Sequence, residues 1–188
     1  SAFEIVCVND GSRDDSYRLL REAHQREPRI KVIDLSRNFG HQRAVLAGLH
    51  HARGEYIGVM DADLQDPPEL FQDFIQKAEQ EGFEVVYGVR RKRKSRAVKK
   101  MGYWVYYRLL KSIANMDMPV DSGDFCLMHR KVVDRILDMP EQSLYLRGLR
   151  HWVGFRQTGF IYHRPERYDG NTKYSFRKLF KLAYDGIF

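Results

Sequence analysis

The sequence has few of the residues that build disulfide-stabilised or zinc-stabilised folds. It contains two cysteines, Cys7 and Cys126, among 188 residues. Both lie in apolar runs that are typical of strands. Two separate thiols exclude a disulfide framework and a four-ligand zinc site. We expect both to be buried thiols in a reducing compartment.

The sequence also lacks long apolar runs and glycine-rich phosphate loops. No apolar run approaches the roughly 20 residues that a membrane-spanning helix needs. No Gly-x-Gly-x-x-Gly turn follows a strand, and no loop ends in Gly-Lys-Ser/Thr. Ordinary dinucleotide-binding and P-loop folds are therefore excluded, and any bound phosphate must be held in another way.

Acidic residues are absent from one strongly basic segment. Residues 90–100 contain eight basic residues and no acidic one, within a chain of net charge +7. Such a block attracts nucleic acid, anionic lipid or a phosphorylated substrate, and composition alone leaves these three open. The length and the 43% hydrophobic content suit one well-cored domain over residues 1–188.

A pair of carboxylates follows a short apolar run at residues 56–60, which predicts a buried strand. In an extended segment alternate side chains share a face, so Asp61, Asp63 and Gln65 can converge on one point. Their oxygens suit Mg²⁺ or Mn²⁺ rather than zinc. Two neighbouring like charges repel unless a cation lies between them. The sequence predicts a metal site here, and a solvated acidic turn is the alternative.

The next four residues predict the start of a helix. Asp66 fits the N-cap, Pro67 the first helical position and Glu69 the closing position of a capping box. Capping accounts for Asp66 without a metal. A calcium EF-hand loop is disfavoured, because Asp66 and Gln72 stand where that loop needs glycine and glutamate. The apolar face of this helix ends at Gly82.

Strand and helix patterns alternate along the chain, which predicts an α/β fold with a mostly parallel sheet flanked by helices. Strands are expected near residues 3–8, 30–35, 56–60, 84–87, 126–128 and 157–162, and helices before Pro28 and near 41–52, 67–82, 98–113, 131–139 and 176–187. Residues 147–155 predict a turn-rich aromatic segment. Ligands gather at the carboxyl ends of such strands. The polar turns at residues 9–11 and 37–38 and the acidic cluster should meet at that edge.

Two predicted helices have an amphipathic composition. The helix at 98–113 carries aromatic residues beside the basic segment, and core packing and a membrane interface explain it equally well. In the tail, Phe176, Leu179 and Phe180 share one face while Arg177 and Lys178 lie on another. That helix suits either an anionic bilayer or its own domain. We interpret 90–115 as a basic mobile segment with an interfacial helix, and 174–188 as an amphipathic juxtamembrane helix.

Several short motifs occur in one order along nearly the whole chain. They are Asn9-Asp10-Gly11-Ser12, Ser36-Arg37-Asn38-Phe39-Gly40, Asp61-Ala62-Asp63-Leu64-Gln65-Asp66-Pro67-Pro68, Gly88-Val89-Arg90, Gly123-Asp124-Phe125, Arg147-Gly148, Trp152-Val153-Gly154-Phe155 and Gly170-Asn171-Thr172-Lys173-Tyr174. Together they resemble the family 2 glycosyltransferases of GT-A fold. The polyprenyl-phosphate branch, with dolichyl-phosphate mannose synthases and bacterial undecaprenyl-phosphate glucosyltransferases, is the most similar.

The resemblance implies an inverting transfer of a sugar from a nucleotide-sugar to a polyprenyl phosphate at the cytoplasmic face of a membrane. A UDP-sugar such as UDP-glucose is favoured, with Mg²⁺ or Mn²⁺ as cofactor. The implied partners are the donor, the undecaprenyl or dolichyl phosphate acceptor and an anionic membrane surface, but no nucleic acid; a homo-oligomer is left open. Relatives begin with one more strand and commonly continue into transmembrane helices, so we expect this chain to be the soluble part of an integral membrane protein.

The sequence leaves three alternatives open. The donor is GDP-mannose instead, or the acceptor is a sugar hydroxyl with Asp124 as general base. A basic nucleic-acid-binding module is the alternative that involves no enzyme, but it leaves the acidic cluster unexplained.

The resemblance also implies roles for individual residues. Asp124 and Asp63 match catalytic positions; Asp10, Asp61, Arg90 and Lys173 match donor-binding positions; Arg90, Arg147 and Lys173 match positions that bind the acceptor phosphate; and Asp61, Asp63 and Gln65 match metal ligands. Two positions depart from the pattern, since Asn9 stands where many relatives have aspartate and Cys126 where many have arginine. The first change could alter nucleobase preference, and the second removes a phosphate contact.

Overall fold

The computed structural model describes residues 3–63, 65–90, 122–139 and 146–163. The predicted helices at 98–113 and 176–187 lie outside these residues, as does Lys173. The elements in chain order are β1 Ile5–Asn9, α1 Ser16–Arg26, β2 Ile30–Asp34, α2 His41–His51, β3 Tyr56–Val59, α3 Leu70–Glu81, β4 Val85–Arg90, β5 Ser122–His129, α4 Arg130–Leu137, α5 Leu146–Trp152 and β6 Gln157–Tyr162. Within the described ranges, no helix is both long and apolar enough to cross a bilayer.

The strands form two sheets. β1 and β2 pair in parallel, with Ile5 opposite Ile30. The other sheet has the strand order β3-β5-β4-β6. β4 and β6 are parallel, whereas β5 runs antiparallel to β4 with a register shift between Tyr87 and Val89. The predicted α/β class is therefore confirmed, with an antiparallel strand inside the second sheet.

The chain divides into two compact units, one of Ser1–Ile57 with His129–Pro140 and the other of Gly58–Met128 with Glu141–Phe188. A single catalytic domain over 1–188 stays a prediction. In the first unit, α4 buries the apolar residues Val132, Val133 and Ile136. Their spacing places them on one face of the helix.

The second unit has an aromatic core. Phe74 of α3 and Phe125 of β5 are buried, with their ring centroids 5.1 Å apart. Phe160 and Tyr162 of β6 extend this cluster, at 5.3 Å from Phe74 and 5.5 Å from Phe125 respectively. The cluster fixes β5 and β6, the strands that carry Asp124 and Tyr162.

Two local predictions are wrong. α3 begins at Leu70 rather than at Pro67, and neither Asp66 nor a capping box caps it, since the N-cap residue is Glu69 without a side-chain hydrogen bond. The C-terminal prediction is confirmed, because Gly82 ends α3 in the left-handed conformation with φ of 67°. The segment predicted to be turn-rich contains a helix, α5, in which Leu146, Gly148 and Arg150 are buried.

Candidate functional site

Asp10 joins the two polar turns of the first unit. Its Oδ1 accepts a hydrogen bond from the backbone N–H of Phe39 at 2.7 Å, and its Oδ2 accepts one from Gly40 at 2.9 Å. The side-chain amide of Asn38 donates to the carbonyl oxygen of Asp10 at 3.1 Å. The structure therefore brings the motifs at 9–12 and 36–40 together beyond the carboxyl ends of β1 and β2, as the sequence predicted.

Gly11 makes this close approach possible. It has φ of 62°, and a Cβ atom at this position would lie 2.5 Å from the carbonyl carbon of Arg37 and 2.6 Å from the nitrogen of Asn38. Side chains are disfavoured by both the backbone conformation and the contact. At the polar edge of the first unit, the loops at residues 9–12 and 36–40 are thus in direct contact, and the Asp10 carboxylate links them.

The side-chain amide of Asn9 forms two hydrogen bonds within the first unit, which explain why an amide occupies this position. Its side chain is buried, and its Nδ2 donates to Oδ1 of Asp34 at 2.7 Å while its Oδ1 accepts from the N–H of Ser12 at 3.2 Å. These two partners fix which end of the amide faces Asp34. An aspartate at position 9 would instead place two carboxylates against each other. Asn9 is thus suited to Asp34 in this chain.

The carboxylates of Asp61 and Asp63 are both half-buried. Asp63 Oδ1 accepts a hydrogen bond from the backbone N–H of Gln65 at 3.2 Å, and the Gln65 side chain is buried. No group of three or more His, Cys, Asp or Glu side chains gathers into a metal-ligand set among the described residues. Mg²⁺ is commonly bound by only one or two carboxylates, with water and substrate phosphates as the remaining ligands. The donor set of Asp61 and Asp63 fits that pattern.

Asp66 lies in the interior of the second unit instead of at a helix cap. It is 2% exposed and accepts a hydrogen bond from the hydroxyl group of Tyr162 on β6. Burial, together with the Asp66 carboxylate, raises the pKa of Tyr162 to about 12, although a hydrogen bond with Arg90 acts in the opposite direction. The end of the acidic segment is thus attached to β6, and the predicted phosphate ligand Arg90 contacts the same tyrosine.

Asp124 and Arg147 form a bidentate ion pair. Arg147 Nε donates to Asp124 Oδ1 at 2.7 Å, and its Nη2 donates to Oδ2 at 2.8 Å. The Asp124 side chain is 17% exposed and that of Arg147 is 35% exposed. Such parallel hydrogen bonds fix both groups in one plane. The sequence assigned both residues to the site but did not predict their pairing.

Sequence reasoning missed Arg150, which lies one helical turn after Arg147. It is 4% exposed, and its guanidinium lies 5.2 Å from the centre of the Tyr87 ring. It also interacts with the thiol of Cys126, where its positive charge opposes the rise in pKa that burial causes. The spacing of three residues from Arg147 in a helix is the signal that could have identified it, but the segment was predicted to be turns.

Comparison with known proteins identifies the family. Residues 1–137 match the model of glycosyl transferase family 2, and the chain belongs to this family. The predicted resemblance is confirmed at this level.

The relatives of known sequence include the glycosyltransferase YkcC of Bacillus subtilis (strain 168), which is 51% identical over 98% of this chain and 57% of its own length. The prophage bactoprenol glucosyl transferase homolog of Escherichia coli (strain K12) is 39% identical over 98% of this chain and 60% of its own length. The chain thus spans a little under two thirds of either relative.

The solved structures include the mannosyltransferase PcManGT from Pyrobaculum calidifontis in complex with GDP-Man and Mn²⁺. It is 18% identical, with a TM-score of 0.58 over 88% of this chain and 49% of that one. Together with the family match, this likeness confirms the predicted GT-A fold.

Proposed function

We propose that the complete protein transfers a sugar from a nucleotide-sugar to a polyprenyl phosphate at the cytoplasmic face of a membrane, with inversion at the anomeric carbon. The donor is a UDP-sugar, with UDP-glucose favoured. The proposal is supported by the similarity to bactoprenol glucosyl transferases over 98% of this chain. The observation within the chain that carries it is the bidentate pair of Asp124 and Arg147.

This ion pair favours a phosphate acceptor over a sugar hydroxyl. A hydroxyl acceptor requires a general base that removes its proton during transfer. Both oxygens of Asp124 already accept hydrogen bonds from Arg147, an arrangement that orients the carboxylate rather than directing it towards a proton. A phosphate acceptor is already ionised near neutral pH and needs no base. Asp124 therefore orients Arg147 and stabilises the positive charge that develops on the sugar.

In the proposed reaction, one bond forms at the anomeric carbon of the sugar and one bond breaks. An ionised oxygen of the acceptor phosphate attacks the anomeric carbon, the bond from that carbon to the donor diphosphate breaks, and the nucleoside diphosphate leaves with the electron pair. Arg147 binds the acceptor phosphate, and Arg90, together with Lys173 outside the described residues, binds donor or acceptor phosphates. Asp10 contacts the nucleoside from the loop edge of the first unit.

Asp61 and Asp63 are the residues that would hold a divalent cation, with Gln65 as a third proposed ligand. When bound, Mg²⁺ or Mn²⁺ supplies a Lewis acid for the negative charge of the departing diphosphate. The basic residues at 90–100 attract anionic lipid and screen the repulsion between donor and acceptor phosphates.

The test is incubation of the complete protein with UDP-glucose or GDP-mannose, Mg²⁺ or Mn²⁺, and undecaprenyl phosphate, followed by mass spectrometry of the lipid. We expect a product heavier by one hexose in the UDP-glucose reaction. Product with GDP-mannose alone would replace the proposed donor. A parallel reaction offers a sugar hydroxyl as acceptor. If that acceptor is glycosylated while undecaprenyl phosphate gains no hexose from either donor, the proposed acceptor is wrong.

A further inference from the structure

Arg150 is a buried cation without a full set of partners. Its Nη1 donates to the carbonyl oxygen of Gly123 over a long distance of 3.4 Å, and its Nε is buried without a hydrogen-bond partner among the described residues. The backbone carbonyl of Arg150 accepts a hydrogen bond from Gln157 at 2.9 Å, which fixes the helix rather than the guanidinium. Burial of an incompletely paired guanidinium costs free energy, because the charged group has left water.

Within the described part of the chain, positive charge exceeds negative charge around this guanidinium. Asp124 is already paired through both oxygens with Arg147, and Arg150 adds a second positive charge within reach of the same residues, since Asp124, Arg147 and Arg150 all act on the Cys126 thiol. Among the residues that the structure describes, the Asp124 carboxylate is thus close to two guanidinium groups, those of Arg147 and Arg150. The described residues supply no second carboxylate in an ion pair with Arg150. A site with this excess suits an anion from outside the chain.

We propose that Arg150 is a positioning residue that keeps the Asp124–Arg147 site positively charged, so that this site binds the phosphate of a polyprenyl phosphate. Arg150 acts through its buried charge and through its hydrogen bond to Gly123, the neighbour of Asp124. A charge in a poorly solvated position acts more strongly than one in water. This inference rests on the proposed function for its ligand, although not for the presence of an anion site.

The experiment measures binding and turnover separately on the complete protein. Binding of farnesyl phosphate, a short water-soluble polyprenyl phosphate, is compared with binding of farnesol, which lacks the phosphate. The variants are Arg150→Met, which removes the charge but keeps an unbranched side chain, and Arg150→Lys, which keeps the charge. Arg135→Met is the control, because Arg135 has 70% of its side chain exposed on α4 and its loss changes the net charge equally.

We expect Arg150→Met to weaken farnesyl phosphate binding about tenfold or more, with farnesol binding and the KM for the nucleotide-sugar unchanged. Its Tm should be unchanged or higher, because an apolar side chain of similar volume replaces an incompletely paired buried charge. Arg150→Lys should retain most of the phosphate preference, and Arg135→Met all of it.

Two results would overturn the inference. One is a wild-type protein that binds farnesyl phosphate and farnesol equally well. The other is an Arg150→Met variant with a lowered Tm and an unchanged phosphate preference, which would assign Arg150 to packing alone. If the wild type prefers the phosphate through Arg150 but transfers no sugar to it, the proposed function fails while the anion site stands.

Discussion

Arg147 and Asp124 contact each other through two parallel hydrogen bonds, at 2.7 and 2.8 Å, between α5 and the strand β5. The pair joins two segments that are 23 residues apart in the sequence. Neither residue occupies an interior position that packing alone would explain, since both are partly exposed. The relationship places an oriented carboxylate and an oriented guanidinium together at the proposed acceptor site.

Replacing Arg147 with lysine should lower the rate of sugar transfer. Lysine keeps the charge but cannot make the bidentate contact. Loss of one charge-assisted hydrogen bond, about 1.5–3 kcal/mol, corresponds to a rate about 10- to 100-fold lower. The initial rate of lipid glycosylation measures it, with Arg135→Lys as the matched exposed control. A rate equal to that of the wild type would remove the ion pair from the mechanism.

The variant Asn9→Asp should make stability depend on pH. The new carboxylate would face Asp34, which now accepts from Asn9 at 2.7 Å. Repulsion raises the pKa of the carboxylate pair in the folded state, so the folded protein binds more protons than the unfolded one and stability falls as pH rises.

Chemical denaturation at several pH values tests this expectation. We predict a deficit relative to the wild type at pH 7 that shrinks as the pH falls towards about 4, near the ordinary pKa of aspartate. The double variant Asn9→Asp with Asp34→Asn should recover the stability at pH 7. A deficit that is independent of pH would argue against the carboxylate contact.

Gly11→Ala should destabilise the protein more than Gly40→Ala. Both glycines have positive φ, at 62° and 96°, so both substitutions strain the backbone. Only Gly11 has backbone atoms of Arg37 and Asn38 within 3 Å of the added Cβ, whereas nothing lies within 4 Å at Gly40. The extra cost of the clash should be about 1–3 kcal/mol. Thermal unfolding of the two variants measures the difference, and equal Tm values would contradict the contact between the loops.

Tyr162→Phe should lower stability by leaving the buried Asp66 carboxylate without the hydroxyl group that donates to it. The expected cost is about 1–3 kcal/mol. Tyr17→Phe is the control, because Tyr17 is 38% exposed on α1. Unfolding in urea gives the free energy of both variants, and a loss no larger than that of the control would show that Asp66 does not depend on Tyr162.

The hydrogen bond between Tyr162 and Asp66 should also make the stability depend on pH in the alkaline range. Because the pKa of Tyr162 is raised to about 12, its contribution is fully present below the ordinary tyrosine pKa near 10 and is lost as pH rises towards 12. The stability difference between wild type and Tyr162→Phe should therefore narrow across that range. A difference that stays constant up to pH 12 would contradict this assignment.

Sequence patterns correctly predicted those features of the fold that depend on nearby residues or on the order of strands and helices. The helix stop at Gly82 needed a left-handed residue, and the meeting of Asp10 with Phe39 and Gly40 followed from strands that end at one edge of a parallel sheet. In each case the determining residues are neighbours in sequence or in the alternation of strands and helices.

Asp66 shows why other parts could not be predicted. Its sequence neighbours, with two prolines and a glutamate, favour a helix cap, whereas its partner in the structure is Tyr162, 96 residues away. Similarly, Gly148 and the aromatic residues around it favoured turns, but the segment forms α5, in which Leu146 and Gly148 are buried against the rest of the fold. Arg150 was missed for the same reason, since its neighbours Tyr87, Gly123 and Cys126 come from the strands β4 and β5, which are distant in the sequence.

The proposed acceptor is a lipid phosphate, and a direct comparison of two lipids tests this assignment. The complete protein is incubated with UDP-glucose, Mg²⁺ and either undecaprenyl phosphate or undecaprenol, and the lipid masses are measured across pH 6 to 9. We expect a hexose-bearing product from the phosphate lipid only, at a rate that changes little over this range because no proton has to be removed. Glycosylation of undecaprenol, or a rate that rises steeply with pH, would contradict it.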